Sequence, residues 1–251
     1  MPDSAYLTAE LTGWIALFMV VIARLGFVVF LMPGIGEQTV PMRVRGAVMI
    51  AVATAFAASG IVPRPQTEGF SAFFGLMLSE AIIGLFLGVL LRLSIWMLSI
   101  AGTLIAQVVG LSQMLGIALE TEAQTLTANM LSMAGAALLL SADYHLSVVA
   151  RLAEIYGEIP AGALSEIDVT VLINRSFDAF NFAVLLAWPF VAINLLYNIC
   201  LGFINKALPS LMVAFVGAPF MIGAGLILLT ISIATMLMVW MERVPGLIGW
   251  L

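Results

Sequence analysis

Charge is scarce in this chain. Nine basic and 14 acidic residues make up 9% of 251 positions, whereas 63% are hydrophobic. Soluble domains carry about 25% charged and about 45–50% apolar residues. So few charges cannot cover a water-facing surface, so lipid or other apolar protein must cover it. No basic block is present to neutralise phosphates, and with a net charge of −5 the chain gives no sign of a nucleic-acid partner.

Cysteine and histidine are almost absent as well. Cys200 stands alone, so no internal disulfide can form, and inside an uncharged apolar run it reads as a small buried hydrophobe. His145 has no second ligand one helical turn away, so no metal site is expected. Walker, GxSxG, HExxH and CxxC motifs are missing, and Gly34-Ile35-Gly36 is a turn rather than a phosphate loop because no Gly-Lys-Ser follows. With no acid–base cluster and no cofactor motif, the expected protein is not an enzyme and needs no cofactor.

Long apolar runs are what the sequence has. About 20 apolar residues in a helix cross a hydrocarbon core of about 30 Å. Seven segments qualify or come close: 11–31, 47–62, 69–91, 93–119, 123–142, 179–205 and 207–241. The acidic start, with Asp3 and Glu10 and no base, is unlike a signal peptide, so the first run is expected to remain as a span. Arg43 and Arg45 form the clearest basic loop, which the positive-inside rule assigns to the cytoplasm. The fold class is therefore all-α, a multi-span helical membrane protein. The segment 143–178 differs, holding eight of the charges. Arg151, Glu154 and Glu158 share one stripe there, which predicts a short helix with one wet edge followed by a loop over 157–168.

Three features stand out against this background. Small residues recur every four positions, as Gly84 and Gly88, as Gly102, Ala106 and Gly110, and as Ala128, Ser132 and Ala136, which lets helices approach closely within the chain or between subunits. Arg24, Glu80 and Arg92 are costly facing lipid, so Glu80 is expected to pair with Arg24 or Arg92, or else to line an ion path. The stretch QVVGLSQMLGIALETE, 107–122, weakens a helix yet stays apolar, so it must be enclosed by protein or a cavity.

These residues resemble FliR, the SctT type of virulence secretion systems. Arg24-Leu25, then Met32-Pro33-Gly34 and Val40-Pro41-Met42-Arg43-Val44-Arg45 are similar to one family passage. Ala106-Gln107 with Gly110-Leu111-Ser112 resembles the family's Gln-x-Gly-Leu loop. Asn194-Leu195, Gly202, Asn205-Lys206-Ala207-Leu208-Pro209 and Phe215-Val216-Gly217-Ala218-Pro219 resemble its C-terminal signature. Lys206 stands where Arg is common, Ser210 where Gln often follows, and Glu120-Thr121-Glu122 where many members carry Asp-Pro.

The resemblance implies a non-enzymatic export-gate subunit of a flagellar or virulence type III secretion system in the bacterial inner membrane, partly projecting to the periplasmic side within the flagellar basal body. Its implied partners are FliP-, FliQ- and FlhB-like membrane subunits, unfolded exported proteins and membrane lipid. It implies a FliP-like part over 1–178 and a FliQ-like helical hairpin over 179–251, turning near Asn205-Lys206. It also implies a plug loop over 110–122, with Gly110, Leu111, Ser112, Gln113, Met114, Leu115, Gly116 and Ile117 closing the pore. Gly84, Gly88, Gly102, Ala106, Asn205, Lys206, Pro209, Gly217 and Pro219 are the candidate subunit-packing positions. The alternative is a stand-alone secondary transporter or ion channel using Arg24, Glu80 and Arg92. Such transporters often have breaks placed symmetrically in two halves, whereas the 110–122 break has no counterpart in the second half.

Overall fold

The computed structural model describes residues 2–65, 69–110, 120–207 and 213–248, and among them every regular element is a helix. α1 runs Pro2–Leu31, α2 Met42–Ser59, α3 Phe70–Val109, α4 Glu120–Ser141 and α5 Tyr144–Glu158. A short 3-10 turn, Leu164–Glu166, precedes α6, Val169–Ala207, and α7, Val213–Ile248. Five of these helices are long and apolar enough to cross a membrane: α1 from Glu10 onward, α2, α3, α6 and α7. α4 and α5 bend by 71° at their junction and add a sixth if taken as one broken span. The chain is thus an all-α multi-span membrane protein.

The expectation of seven separate segments is corrected in one place. The runs 69–91 and 93–119 are not divided at Arg92, because α3 continues through it as one helix of 40 residues. A charge does not break a helix. Arginine is a good helix former, and its cost in lipid is met by pairing rather than by ending the element. Arg43 and Arg45 likewise belong to the first turn of α2 rather than to a loop. Cys200 is corrected too: it is exposed on α6, because an apolar run in a membrane helix need not turn every residue inward. α3, α6 and α7 contain 40, 39 and 36 residues. At 1.5 Å per residue each reaches about 54–60 Å, nearly twice a hydrocarbon core.

The charged segment folds as its pattern predicts. Arg151 donates to Glu154 at 3.0 Å and to Glu158 at 2.7 Å along the wet edge of α5. The opposite face buries Tyr144, Val148, Leu152, Ile155 and Tyr156, whereas Leu146 stays exposed. Asp168 then caps α6. Its carboxylate accepts hydrogen bonds from the Thr170 hydroxyl and the Thr170 amide, which hold it below the usual carboxylate range.

Two compact units divide the chain. The first comprises Met1–Leu93, Leu139–Arg175 and Pro245–Leu251, and the second Ser94–Leu138 and Ser176–Val244. In the first, α1 and the early half of α3 bury Val21, Leu25, Val28, Ile83, Leu87 and Leu90. In the second, Trp240 is fully buried and its indole N–H donates to the Ser94 carbonyl at 2.8 Å.

Candidate functional site

Arg24 lies on α1 and Glu80 on α3, and both are fully buried. Removing a charge from water costs several kcal/mol unless it is paired and its remaining hydrogen-bonding groups are satisfied. Here they are. Arg24 Nε donates to Glu80 Oε2 at 2.8 Å and Nη2 donates to Oε1 at 2.8 Å, a bidentate pair. The guanidinium also donates from Nη1 to the Ile159 carbonyl at 2.9 Å and from Nη2 to the Pro160 carbonyl at 3.2 Å. Glu80 Oε1 accepts the Gly162 amide at 2.8 Å. The guanidinium carbon lies 4.2 Å from the centroid of the Tyr156 ring, and Phe56 packs against that ring. Of the two partners open to Glu80, the structure selects Arg24.

Arg92 pairs elsewhere. It grips Glu37 through Nη1 to Oε1 at 2.6 Å and Nη2 to Oε2 at 3.1 Å. Sequence reasoning missed Glu37, as it missed Tyr156 and the carbonyls of Ile159 and Pro160. Glu37 had a signal: it is the only acidic residue between Glu10 and Glu68, so it alone in that region could balance a half-buried arginine. The carbonyls had none, because any residue supplies one.

The small residues of α3 are used inside the chain. A Cβ on Gly84 would collide with the backbone carbonyl of Arg24, and one on Gly88 would lie 2.9 Å from the Phe27 carbonyl. A Cβ on Gly102 would lie 2.7 Å from the Cα of Ala128 on α4. Ala106 is buried. Toward the C-terminus, a Cβ on Gly217 would collide with the Tyr197 hydroxyl and come within 3.4 Å of Leu201, so α7 meets α6 there. Asn205, Lys206 and Pro219 are exposed.

Gly110 ends α3 in the left-handed region, with φ +76° and its amide donating to the Gln107 carbonyl at 3.2 Å. The other proposed plug residues, Leu111, Ser112, Gln113, Met114, Leu115, Gly116 and Ile117, lie outside the described residues, as does Pro209. Among the described residues no group of three or more His, Cys, Asp or Glu is placed to hold a metal ion.

The sequence matches the family model described as bacterial export proteins, family 1, over residues 15–246. Among curated relatives it is similar to the flagellar biosynthetic protein FliR of Caulobacter vibrioides, 31% identical over 230 residues that cover 89% of this chain and 90% of that protein. The FliR of Aquifex aeolicus is 26% identical over 206 residues, covering 81% of this chain and 80% of its own length. That of Escherichia coli is 25% identical over 222 residues, covering 86% and 84%. The match runs from the middle of α1 to the last turns of α7, and it takes in Arg24, Glu80 and the connector that joins them, so the chain belongs to family 1 of the bacterial export proteins.

Proposed function

We propose that this chain is a pore-forming subunit of the flagellar type III export gate, assembling with FliP- and FliQ-like chains to pass unfolded proteins across the inner membrane, with an FlhB-like chain on the cytoplasmic side. The observation that carries this reading is the near full-length likeness to proteins named as flagellar biosynthetic FliR. Physical features support it. α6 and α7 leave large apolar side chains uncovered, among them Leu185, Phe203, Phe220 and Ile231, each at least 68% exposed. Lipid can cover such residues, but α6 also carries Asn205 exposed, whereas the Asn198 amide already donates to the Asn194 carbonyl and side chain one turn back. Amide side chains in apolar helices call for a polar partner or a water-filled lumen. Helices about 54–60 Å long, by their residue count, support a subunit that projects beyond the bilayer toward the periplasm.

The state of Glu80 argues for a gate over an ion-coupled transporter. Its two oxygens are taken by Arg24 and the Gly162 amide, and the side chain is fully buried. An ion path through it would have to break that pair at each turnover.

The division into a FliP-like part and a FliQ-like hairpin belongs to the same proposal, with the Gly217–Tyr197 approach as its support. So does the plug. A loop bracketed by Gly110 and Gly116 and filled by Leu111, Met114, Leu115 and Ile117 would seal a lumen by stripping ions of their hydration. Two measurements test the reading. Co-expressed with FliP- and FliQ-like chains, this chain should co-purify in one complex, and a monodisperse folded monomer that ignores them would sink it. Deleting 111–118 should leave that complex assembled but raise the ion conductance of membranes carrying it, while Met114→Ala alone should do so less. An intact complex that stays sealed after the deletion would remove the plug from the proposal.

A further inference from the structure

The Arg24–Glu80 pair does more than join α1 to α3. It also engages the connector between α5 and α6, and it does so through main-chain atoms alone: two successive carbonyls, Ile159 and Pro160, on the cation, and one amide, Gly162, on the anion. These contacts have a polarity. The carbonyls need a donor and the amide needs an acceptor, so the connector fits a cation on α1 and an anion on α3 but not the reverse. Gly162 is suited to its place in two further ways. Its φ of +82° is one that side-chain-bearing residues rarely adopt, and an added Cβ would lie 2.8 Å from Leu76 of α3. Tyr156, in the last turn of α5, supplies the ring over the guanidinium.

α1 and α3 also meet directly, without the connector between them. Gly84 and Gly88 bring α3 directly onto the backbone of α1 at Arg24 and Phe27. Two kinds of contact therefore coexist in the same unit: backbone-close helix packing, and a charged clasp holding a strap.

We infer that Arg24 and Glu80 form a polarity-reading latch on the connector 159–166, one that opens and closes as a unit while α1 and α3 stay packed. The latch is a conformational device. Closed, it fixes the connector just ahead of the Asp168 cap and so sets where α6 begins. Open, it frees the start of α6 without dissolving the helix pair beneath.

Hydrogen exchange of the full-length chain in lipid nanodiscs, read by mass spectrometry on peptides covering 159–166, α1 and α3, tests this directly because the Gly162 amide is itself a latch contact. Three variants are compared with the wild type. Gly162→Ala leaves both charges in place and disturbs the strap where it lies against the end of the Leu76 side chain. The exchanged pair Arg24→Glu with Glu80→Arg restores an ion pair between the helices but reverses its polarity. Glu80→Gln keeps the shape and removes the charge. In Gly162→Ala and in the exchanged pair, peptides over 159–166 should exchange at least about tenfold faster, with α1 and α3 protected as in the wild type. Glu80→Gln leaves the buried Arg24 charge uncompensated, so it should speed exchange in the connector and lower the protection of α1 and α3 as well.

Wild-type protection of the connector in the exchanged pair would overturn the polarity reading. Loss of α1 and α3 protection along with the connector in Gly162→Ala would overturn the latch as a separable unit. That variant keeps both charges, so its result stands even if the charge variants fail to fold.

Discussion

α3 and the two C-terminal helices, α6 and α7, are similarly apolar, yet they have different surroundings. In the most apolar stretch of α3, 61% of residues are buried, against 17% in each of α6 and α7. The difference lies in what interrupts the apolar surface. On α3, Gly84, Gly88 and Gly102 admit the backbones of α1 and α4, and the charges of Glu80 and Arg92 are each matched by a partner. On α6 and α7, Gly217 is met by Tyr197 and Gly225 by Val109, but Gly202 and Gly223 have nothing within 4 Å of where a Cβ would stand, and large apolar side chains point outward. Hydropathy reports only that a surface avoids water. Small residues with close neighbours and charges with partners report what covers it.

The sharpest way to break the comparison is at the centre of α3. Glu80→Ala strands Arg24 in a fully buried site, which should destabilise the chain by about 3–5 kcal/mol and prevent its accumulation in membranes. Replacing both partners, as Arg24→Met with Glu80→Leu, should be much milder because no charge is left unpaired. Membrane abundance and thermal unfolding in detergent measure both. Normal accumulation of Glu80→Ala would mean that the pair does not hold the interior of α3.

How far the sequence disclosed this arrangement depends on the kind of contact. Helices and charges were legible: the runs, the wet stripe on α5, and the need of Glu80 for a cation all follow from residue type and period. The break at Arg92 was misread, since its neutralising partner, Glu37, lies 55 residues away and a linear scan weighs a charge without its partner. The connector's role was not legible at all. It acts through carbonyls and an amide that every sequence possesses, and only Gly162 carries a side-chain trace of it. The helix break at Gly110 was legible from composition, and α3 ends there with Gly110 left-handed. The enclosure expected of the loop beyond it falls on 111–119, outside the described residues.

The same substitution placed on the two kinds of helix should have opposite signs. Gly84→Ala drives a methyl into the Arg24 carbonyl, and overpacking of this sort costs about 1–3 kcal/mol. Gly223→Ala meets open space and should instead stabilise α7 by roughly 0.5–1 kcal/mol, the usual gain of alanine over glycine in a helix. Paired thermal melts of the two variants decide it, and equal effects would erase the distinction between covered and uncovered faces.

Trp240 offers a smaller test, because it is the largest fully buried side chain described on α7. Trp240→Phe keeps most of the apolar volume but loses the hydrogen bond to the Ser94 carbonyl. A loss of about 0.5–1.5 kcal/mol is expected from that bond. Trp240→Leu should cost more, since it also opens space in the core. If both variants melt with the wild type, α7 is as loosely held at Trp240 as along its outer face.

The smallest effect on the chain itself is expected where the comparison matters most for assembly. Phe220 and Ile231 on α7 are 73% and 72% exposed, so Phe220→Ala and Ile231→Ala remove side chains that touch little of their own chain. Their effect on the melting of the isolated chain should stay within about 0.5 kcal/mol, as for other exposed positions. The complex should respond differently. If FliP- or FliQ-like helices cover this face, each truncation removes a buried contact, and central interface residues are worth about 2 kcal/mol or more. Recovery of the partners at limiting concentration should then fall by more than about tenfold. Lipid makes no such demand, because acyl chains still accept alanine at a cost of only roughly a few tenths of a kcal/mol and no partner is lost. Partner recovery measured beside the unchanged melt of the chain therefore separates the two coverings, and undiminished recovery in both variants would assign this face of α7 to lipid.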